Sequence, residues 1–465
     1  MSHKESHLML PVDAAWLALE APHNPMTITV MMRVEGLTEN RLQEFIERYW
    51  LAWERFRLLP VRKGPAWHWQ ADPLFALRHH LAVVPHSLDA EALQDWVSAR
   101  LNQPLPDYRP RWKFWLVPHA EGGAALLLRI HHCYADGLAL LEVFDRLCPT
   151  SPRQPPAIYG GRESTEPTRW LDGTRAWLAE LLAGEGGTNT AAVMSARSAA
   201  GSRNRLEQAA LRGVRLVNEL SHFVVEAEDT PSPLRQTLLG RRRCCWSEPL
   251  PLAQFRSVAR SAGVTINDVL LSCVASAVRQ ALAGAGVDLD QACAHAAVPV
   301  DIRSRLPDGV SPPEGSLGNY FGTVFVPLPV DGGSPLERLY RIKHETRRLK
   351  RSWQPGISWA LAGAAALLPD HLRQAVAELF CRKASTVVSN VPGTREPRYL
   401  AGCRITEQMY WVPRAGDIGL GVSVVSYAGQ VQFGVVADEA VVADPQQFLA
   451  CCLAELEELA GKAGS

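Results

Sequence analysis

The stretch Leu126-Leu127-Leu128-Arg129-Ile130-His131-His132-Cys133-Tyr134-Ala135-Asp136-Gly137 constrains the fold more than any other part of the chain. Its apolar run reads as a buried strand ending in two adjacent histidines, with a helix from Leu138 to Leu147 beyond it. Neighbouring strand side chains point to opposite faces, so His132 shares a face with Ile130 and Leu128 while His131 faces away. Asp136 stands where a helix N-cap belongs, and Gly137 suits a tight turn or a close backbone approach. Spacing leaves three readings open. The histidines could be a structural pair, they could belong to a metal site, or His132 could be a general base near neutral pH. No serine or cysteine nucleophile with its own base stands nearby. A base at His132 would therefore act by direct transfer, taking a proton from a hydroxyl that attacks an activated acyl group.

At 465 residues the chain favours two domains, and 47% apolar content gives it ample core. The 48 basic residues balance 48 acidic ones, so charge makes no case for nucleic acid. The polar start, Met1 to His7, is no signal peptide, and no stretch reads as the roughly 18–20 apolar residues of a membrane span. The closest is Ile357 to Leu368, a buried helix or an interfacial one. The ten cysteines lack CxxC spacing, which argues for reduced thiols and no zinc signature.

Further blocks stand out along the chain. Pro11-Val12-Asp13-Ala14-Ala15-Trp16 opens a short amphipathic segment, and Pro110-Arg111-Trp112 precedes the motif strand. Val264-Thr265-Ile266-Asn267-Asp268-Val269 reads as a helix start, with Thr265 as N-cap and Asp268 in the capping-box position. Val298-Pro299-Val300-Asp301-Ile302-Arg303, Gly318-Asn319-Tyr320-Phe321-Gly322 and Ser389-Asn390-Val391-Pro392-Gly393 follow. An arginine near a carboxylate is a geometrically fixed partner, which offers Arg303 to Asp136, or more locally to Asp301. His79-His80 has no Asp-Gly at the motif spacing and reads as structural or exposed.

His131 to Gly137 matches the HHxxxDG motif of acyltransferases with the chloramphenicol acetyltransferase-like fold. In order along the chain, the blocks resemble the bacterial wax ester synthase/diacylglycerol acyltransferase family from about Leu10 to Phe448. The resemblance implies an α/β fold of two mixed-sheet domains with a channel between them. Residues 1–150 would form the N-terminal acyltransferase domain, 151–240 a helical linker or crossover, and 241–465 the C-terminal acyltransferase domain. It implies His132, Asp136, His131, Gly137 and Asn267 as the catalytic set: His132 as base, Asp136 orienting the loop, His131 structural, and Asn267 or a backbone N–H on the oxyanion. Asp268, Arg303, Ser389 and Asn390 would serve the substrates. No metal and no resident cofactor are expected, with acyl-CoA as co-substrate and a long-chain alcohol or diacylglycerol as acceptor. The expected location is cytoplasmic, with peripheral contact at the inner membrane face or lipid inclusions. Two alternatives stay open: a condensation-type acyltransferase fed by a carrier protein, and a non-catalytic lipid-droplet-binding protein.

Overall fold

A computed structural model describes residues 6–157, 170–174, 229–306, 310–312, 315–369, 373, 378 and 380–463. The chain begins with β1 (His7–Leu8) and α1 (Pro11–Leu19), where Pro11 takes a first-turn position that needs no N–H. β2 (Thr27–Val34) and α2 (Glu39–Arg48) follow, the helix capped by Thr38. β3 (Leu58–Lys63) and β4 (Ala66–Ala71) pair with each other, and β4 also pairs with β1, in a small three-stranded sheet. β5 (Leu81–Val83), α3 (Ala90–Leu101), β6 (Trp112–Pro118), β7 (Ala124–His131) and α4 (Gly137–Leu147) complete this half. Asp89 caps α3, its Oδ1 accepting the Ala92 N–H at 2.8 Å. Every residue of β7 is buried, because both faces of its sheet are covered. That is why the run is continuously apolar rather than alternating.

The second half contains β8 (Arg242–Trp246), β9 (Leu250–Pro251), α5 (Leu252–Ser261), α6 (Ile266–Gly284) and β10 (Ala294–Asp301). Next come β11 (Phe321–Leu328), α7 (Pro335–Lys350), α8 (Gln354–Ala365) and β12 (Thr386–Pro392). The chain closes with β13 (Tyr399–Leu400), β14 (Cys403–Trp411), β15 (Leu420–Tyr427), β16 (Gln430–Asp438) and α9 (Pro445–Ala463). A seven-stranded mixed sheet runs β11-β10-β12-β15-β16-β8, with β9 also on β16. Its core is filled by α5, α6, α7 and α9.

The sheets do not divide at residue 241. The six-stranded sheet that carries the histidines runs β13-β14-β2-β7-β6-β5, so two strands from the second half complete the first half's sheet. β14 lies antiparallel on β2, with Met409 opposite Met31. Local pattern predicts strands but not strand order, which is why this exchange was invisible in the sequence.

The expectation that no stretch could span a membrane also needs correction. α6 is long and apolar enough by length and composition, but 67% of that window is buried inside the fold, where α6 is the central helix of the second core. The segment from Ile357 largely forms α8, mostly buried, with Leu367 and Leu368 exposed just past its end. Of the expected linker or crossover, residues 151–157, 170–174 and 229–240 are described, with 170–174 helical. The rest of that segment lies outside the described residues.

Candidate active site

β7 stops at His131, and the next residue continues its ladder by one bond, the His132 N–H reaching the Met26 carbonyl at 2.8 Å. This fixes the side chains as alternation requires. His132 lines a cavity of about 340 Å³ between the two halves, whereas His131 turns the other way. The His131 Nδ1 accepts the Cys133 N–H at 3.1 Å, and its Nε2 lies 3.5 Å from Glu20. Glu20 also takes Arg111 at 2.7 Å, so the arginine and His131 share one carboxylate.

His132 Nδ1 is 2.7 Å from Asn319 Oδ1. The Asn319 amide is oriented by its other end: Nδ2 donates to Asp13 Oδ1 and to the His132 carbonyl, both at 2.9 Å. With Nδ2 committed to two acceptors, Oδ1 must face the ring, so His132 carries its proton on Nδ1. Nε2 is then the lone-pair nitrogen left for the cavity. Trp16 stacks on the ring, centroids 3.9 Å apart and planes 22° apart. Burial pushes the imidazole down to about 4, while the nearby Asp136 charge and the Asn319 bond pull the other way, so the ring is neutral across the working range.

Asp136 is the N-cap of α4, its Oδ1 accepting the Ala139 N–H at 2.8 Å. Arg303 holds both carboxylate oxygens, at 2.9 and 2.8 Å, and the Tyr320 N–H donates to Oδ2 at 2.9 Å. The same guanidinium also reaches Asp301 at 2.9 Å, so both contacts anticipated for Arg303 form. A guanidinium committed to two carboxylates serves the frame of the site and lines neither cavity, in contrast to the substrate contact expected of it. Gly137 needs no turn. It is the first residue of α4, without a positive φ, and a Cβ there would meet nothing within 4 Å. The N–H groups of Gly137 and Leu138 have no intrahelical acceptor, and both residues line the cavity.

Ser389 and Asn390 line the same cavity from β12. Asn267 and Asp268 do not. Asp268 closes the capping box with Thr265 through Oδ2, and its Oδ1 takes the Thr346 hydroxyl at 2.6 Å, so one oxygen caps α6 and the other ties it to α7. Asn267 is half-buried beside it and lines neither cavity, contrary to the expected place near the reaction centre. The capping pattern and the family motif coincide in this segment, and only the cap has an evident structural use.

A second cavity of about 140 Å³ adjoins the first. Val12, Ala15 and Leu19 of α1 face Ala362 and Ala365 of α8 across it, and Trp16 and Phe321 belong to both walls. α8 approaches β11 so closely at Gly322 that a Cβ there would fall 1.7 Å from the Pro355 carbonyl oxygen. Cys381 also lines both cavities, but burial pushes its thiol up to about 12, so it offers no thiolate nucleophile. Asn319, Asp13 and Trp16 all lie in blocks that stand out in the sequence, yet nothing local to those blocks marks them as partners of His132.

The fold is shared with solved structures. A wax ester synthase/diacylglycerol acyltransferase from Marinobacter aquaeolei VT8 superposes with a TM-score of 0.67 at 20% identity, covering 98% of this chain and 100% of that one. The first condensation domain of the calcium-dependent antibiotic synthetase gives 0.62 at 14% identity, over 100% and 97% of the two chains. These likenesses show a two-domain mixed-sheet fold of the condensation-domain and acyltransferase type. The wax ester synthase/diacylglycerol acyltransferase catalytic domain matches residues 9–270, and the WS/DGAT C-terminal domain matches 317–460. A Mycobacterium tuberculosis protein named as a diacylglycerol O-acyltransferase is 31% identical over 425 residues, 87% of this chain and 85% of its own. A Mycobacterium bovis protein of the same name is 28% identical over 404 residues, 85% and 81% of the two chains. The chain belongs to the wax ester synthase/diacylglycerol acyltransferase family.

Proposed function

We propose that this enzyme moves a fatty acyl group from an acyl-CoA thioester to the hydroxyl of a long-chain alcohol or diacylglycerol, forming wax ester or triacylglycerol. The observation that carries the reading is the committed tautomer of His132: Nδ1 bound inward to Asn319, with the ring on the wall of the cavity between the domains. Nε2 takes the hydroxyl proton as the oxygen attacks the thioester carbon. The negative oxygen of the tetrahedral intermediate is met by the N–H groups of Gly137 and Leu138 at the positive end of α4. Collapse breaks the carbon–sulfur bond, and the departing thiolate recovers the proton from the imidazolium. A thioester is already activated, so no acyl-enzyme is required, and the Cys133 and Cys381 thiols are held protonated by burial. A ring held down to about 4 does not keep the proton at rest; it passes the proton on within the attack.

The apolar walls suit hydrocarbon chains and the Ser389–Asn390 side suits a polar head. Leu367, 61% exposed, and Leu368 follow directly on Ala365 and Ala366, which line the smaller cavity. This arrangement supports peripheral contact with a lipid phase beside the chain-binding wall. The test is release of free CoA thiol across a set of alcohols and diacylglycerol, with His132→Ala alongside. Loss of a general base lowers turnover by about 10²–10⁴-fold, so the variant should lose at least about a hundredfold while still folding. Near-normal thiol release by His132→Ala refutes the base. Activity confined to a carrier-protein thioester favours condensation-type chemistry, and lipid binding with no thiol release favours a non-catalytic binder.

A further inference from the structure

Asp13 touches neither cavity. It is fully buried on α1, and its two oxygens serve different partners. Oδ1 accepts both the backbone N–H of Asn319, at 3.1 Å, and its Nδ2, at 2.9 Å. Oδ2 takes Arg55 Nη1 at 3.3 Å, and the same Arg55 nitrogen reaches the Tyr134 carbonyl at 3.2 Å. A side-chain amide is nearly symmetric in shape, so neighbouring charge decides which way it points. Turned over, the Asn319 oxygen would face a carboxylate and its NH₂ would face the Nδ1–H of His132. The carboxylate makes that orientation untenable.

We propose that Asp13 is a positioning residue for acyl transfer: it fixes the Asn319 amide and, through it, the His132 tautomer whose Nε2 is free to act as base. The proposal rests on His132 being that base. The charged and titratable groups facing Asp13 are Arg55 from the turn at Glu54–Arg57, Asp136 from the start of α4, and Cys133 from the turn after β7. Burial pushes the Asp13 carboxyl up to about 6, although Arg55 and the Asn319 bonds hold it down. Burial keeps His132 lower, at about 4. The usual order of a carboxyl and an imidazole is therefore inverted. As pH falls, Asp13 takes up a proton first and loosens its hold on Asn319 while His132 is still neutral. The acid limb of activity belongs to Asp13.

The experiment is the pH profile of kcat for the full-length enzyme and for Asp13→Asn, with the His132 imidazole followed by ¹⁵N NMR in the unmodified protein. The expected result is an acid limb near pH 6 while the His132 resonances still report the neutral Nδ1–H tautomer. In Asp13→Asn that limb should vanish and kcat should fall by at least about tenfold; a wrong tautomer in a catalytic triad costs about 10⁴-fold. Asn319→Ala, which leaves the Asp13–Arg55 pair in place, should lower kcat without a matching rise in KM. An acid limb that follows the imidazole titration, or one that persists in Asp13→Asn, overturns the proposal. If Asp13→Asn does not fold, the two titrations of the unmodified enzyme still decide. Full turnover by His132→Ala would instead bring down the base itself, which separates the two failures.

Discussion

Replacing Asp136 with alanine separates a structural carboxylate from a catalytic one. The carboxylate makes three kinds of contact, and each loss has a size. Removing an N-cap costs about 1 kcal/mol. The Tyr320 N–H, buried and now without an acceptor, adds about 1 kcal/mol or more. Arg303 loses its bidentate partner, but its side chain is 23% exposed and Asp301 remains at 2.9 Å. Its share therefore stays well below the 3–5 kcal/mol of a stranded buried charge, at about 1–2 kcal/mol. The total is about 3–4 kcal/mol. Unfolding entropy of about 2.1 cal/mol/K per residue over 465 residues comes to about 1 kcal/mol/K. Asp136→Ala should therefore lower Tm by about 3–4 °C in a calorimetric scan. Thiol release should fall at least about tenfold, because the loosened start of α4 carries the N–H groups aimed at the oxyanion. A variant that keeps its Tm within about a degree yet loses activity refutes this account, and the carboxylate would then act on the substrate directly.

Trp16→Ala removes the shared wall between the two cavities and the stacking partner of His132. Competition among saturated acyl-CoAs and alcohols, each varied in length, should show a shift of several-fold toward longer chains in one arm, as methylene discrimination of about 1–3 kcal/mol allows. An unchanged length profile refutes the shared wall. Asp268→Ala should destabilise the fold by about 1–3 kcal/mol through the lost capping box and Thr346 contact, read by urea unfolding. His295 bonds Asp229 at 2.6 Å; burial pushes its pKa down, but the carboxylate prevails and raises it to about 9. The folded pKa exceeds the ordinary imidazole value, so this stabilisation is complete below about pH 6.5 and fades as pH rises through about 9. His295→Gln should flatten the stability loss over that interval.

The motif segment was legible because it is local: a run of apolar residues, a polar end and a cap lie within a dozen positions. The Asp136–Arg303 pair was legible because an arginine in a strand-end block needs a carboxylate. The grip on His132 was not. Asp13, Asn319 and His132 are brought together from three separate blocks, and only the assembled sheets show that Asn319 has its Nδ2 committed on both sides. Asn267 misled for the opposite reason. Its segment carries a strong helix-start signal, and that signal accounts for Asp268 without any role in the cavity. A similar ambiguity covers Asp229, Cys293 and His295, whose ligand atoms lie within 4.8 Å of one another with no CxxC spacing to announce them.

The placement of β14 on β2 bears on how the protein is made. As the polypeptide emerges during synthesis, the sheet beneath the histidines lacks its outer strands until residues 399–411 have appeared. For most of translation β2 would therefore present a bare row of amides and carbonyls, the kind of edge that recruits foreign strands. A gene cut at residue 240 would not release an independent N-terminal unit; it would yield a fragment prone to aggregate. Supplying the missing C-terminal piece in trans is the way to rescue it.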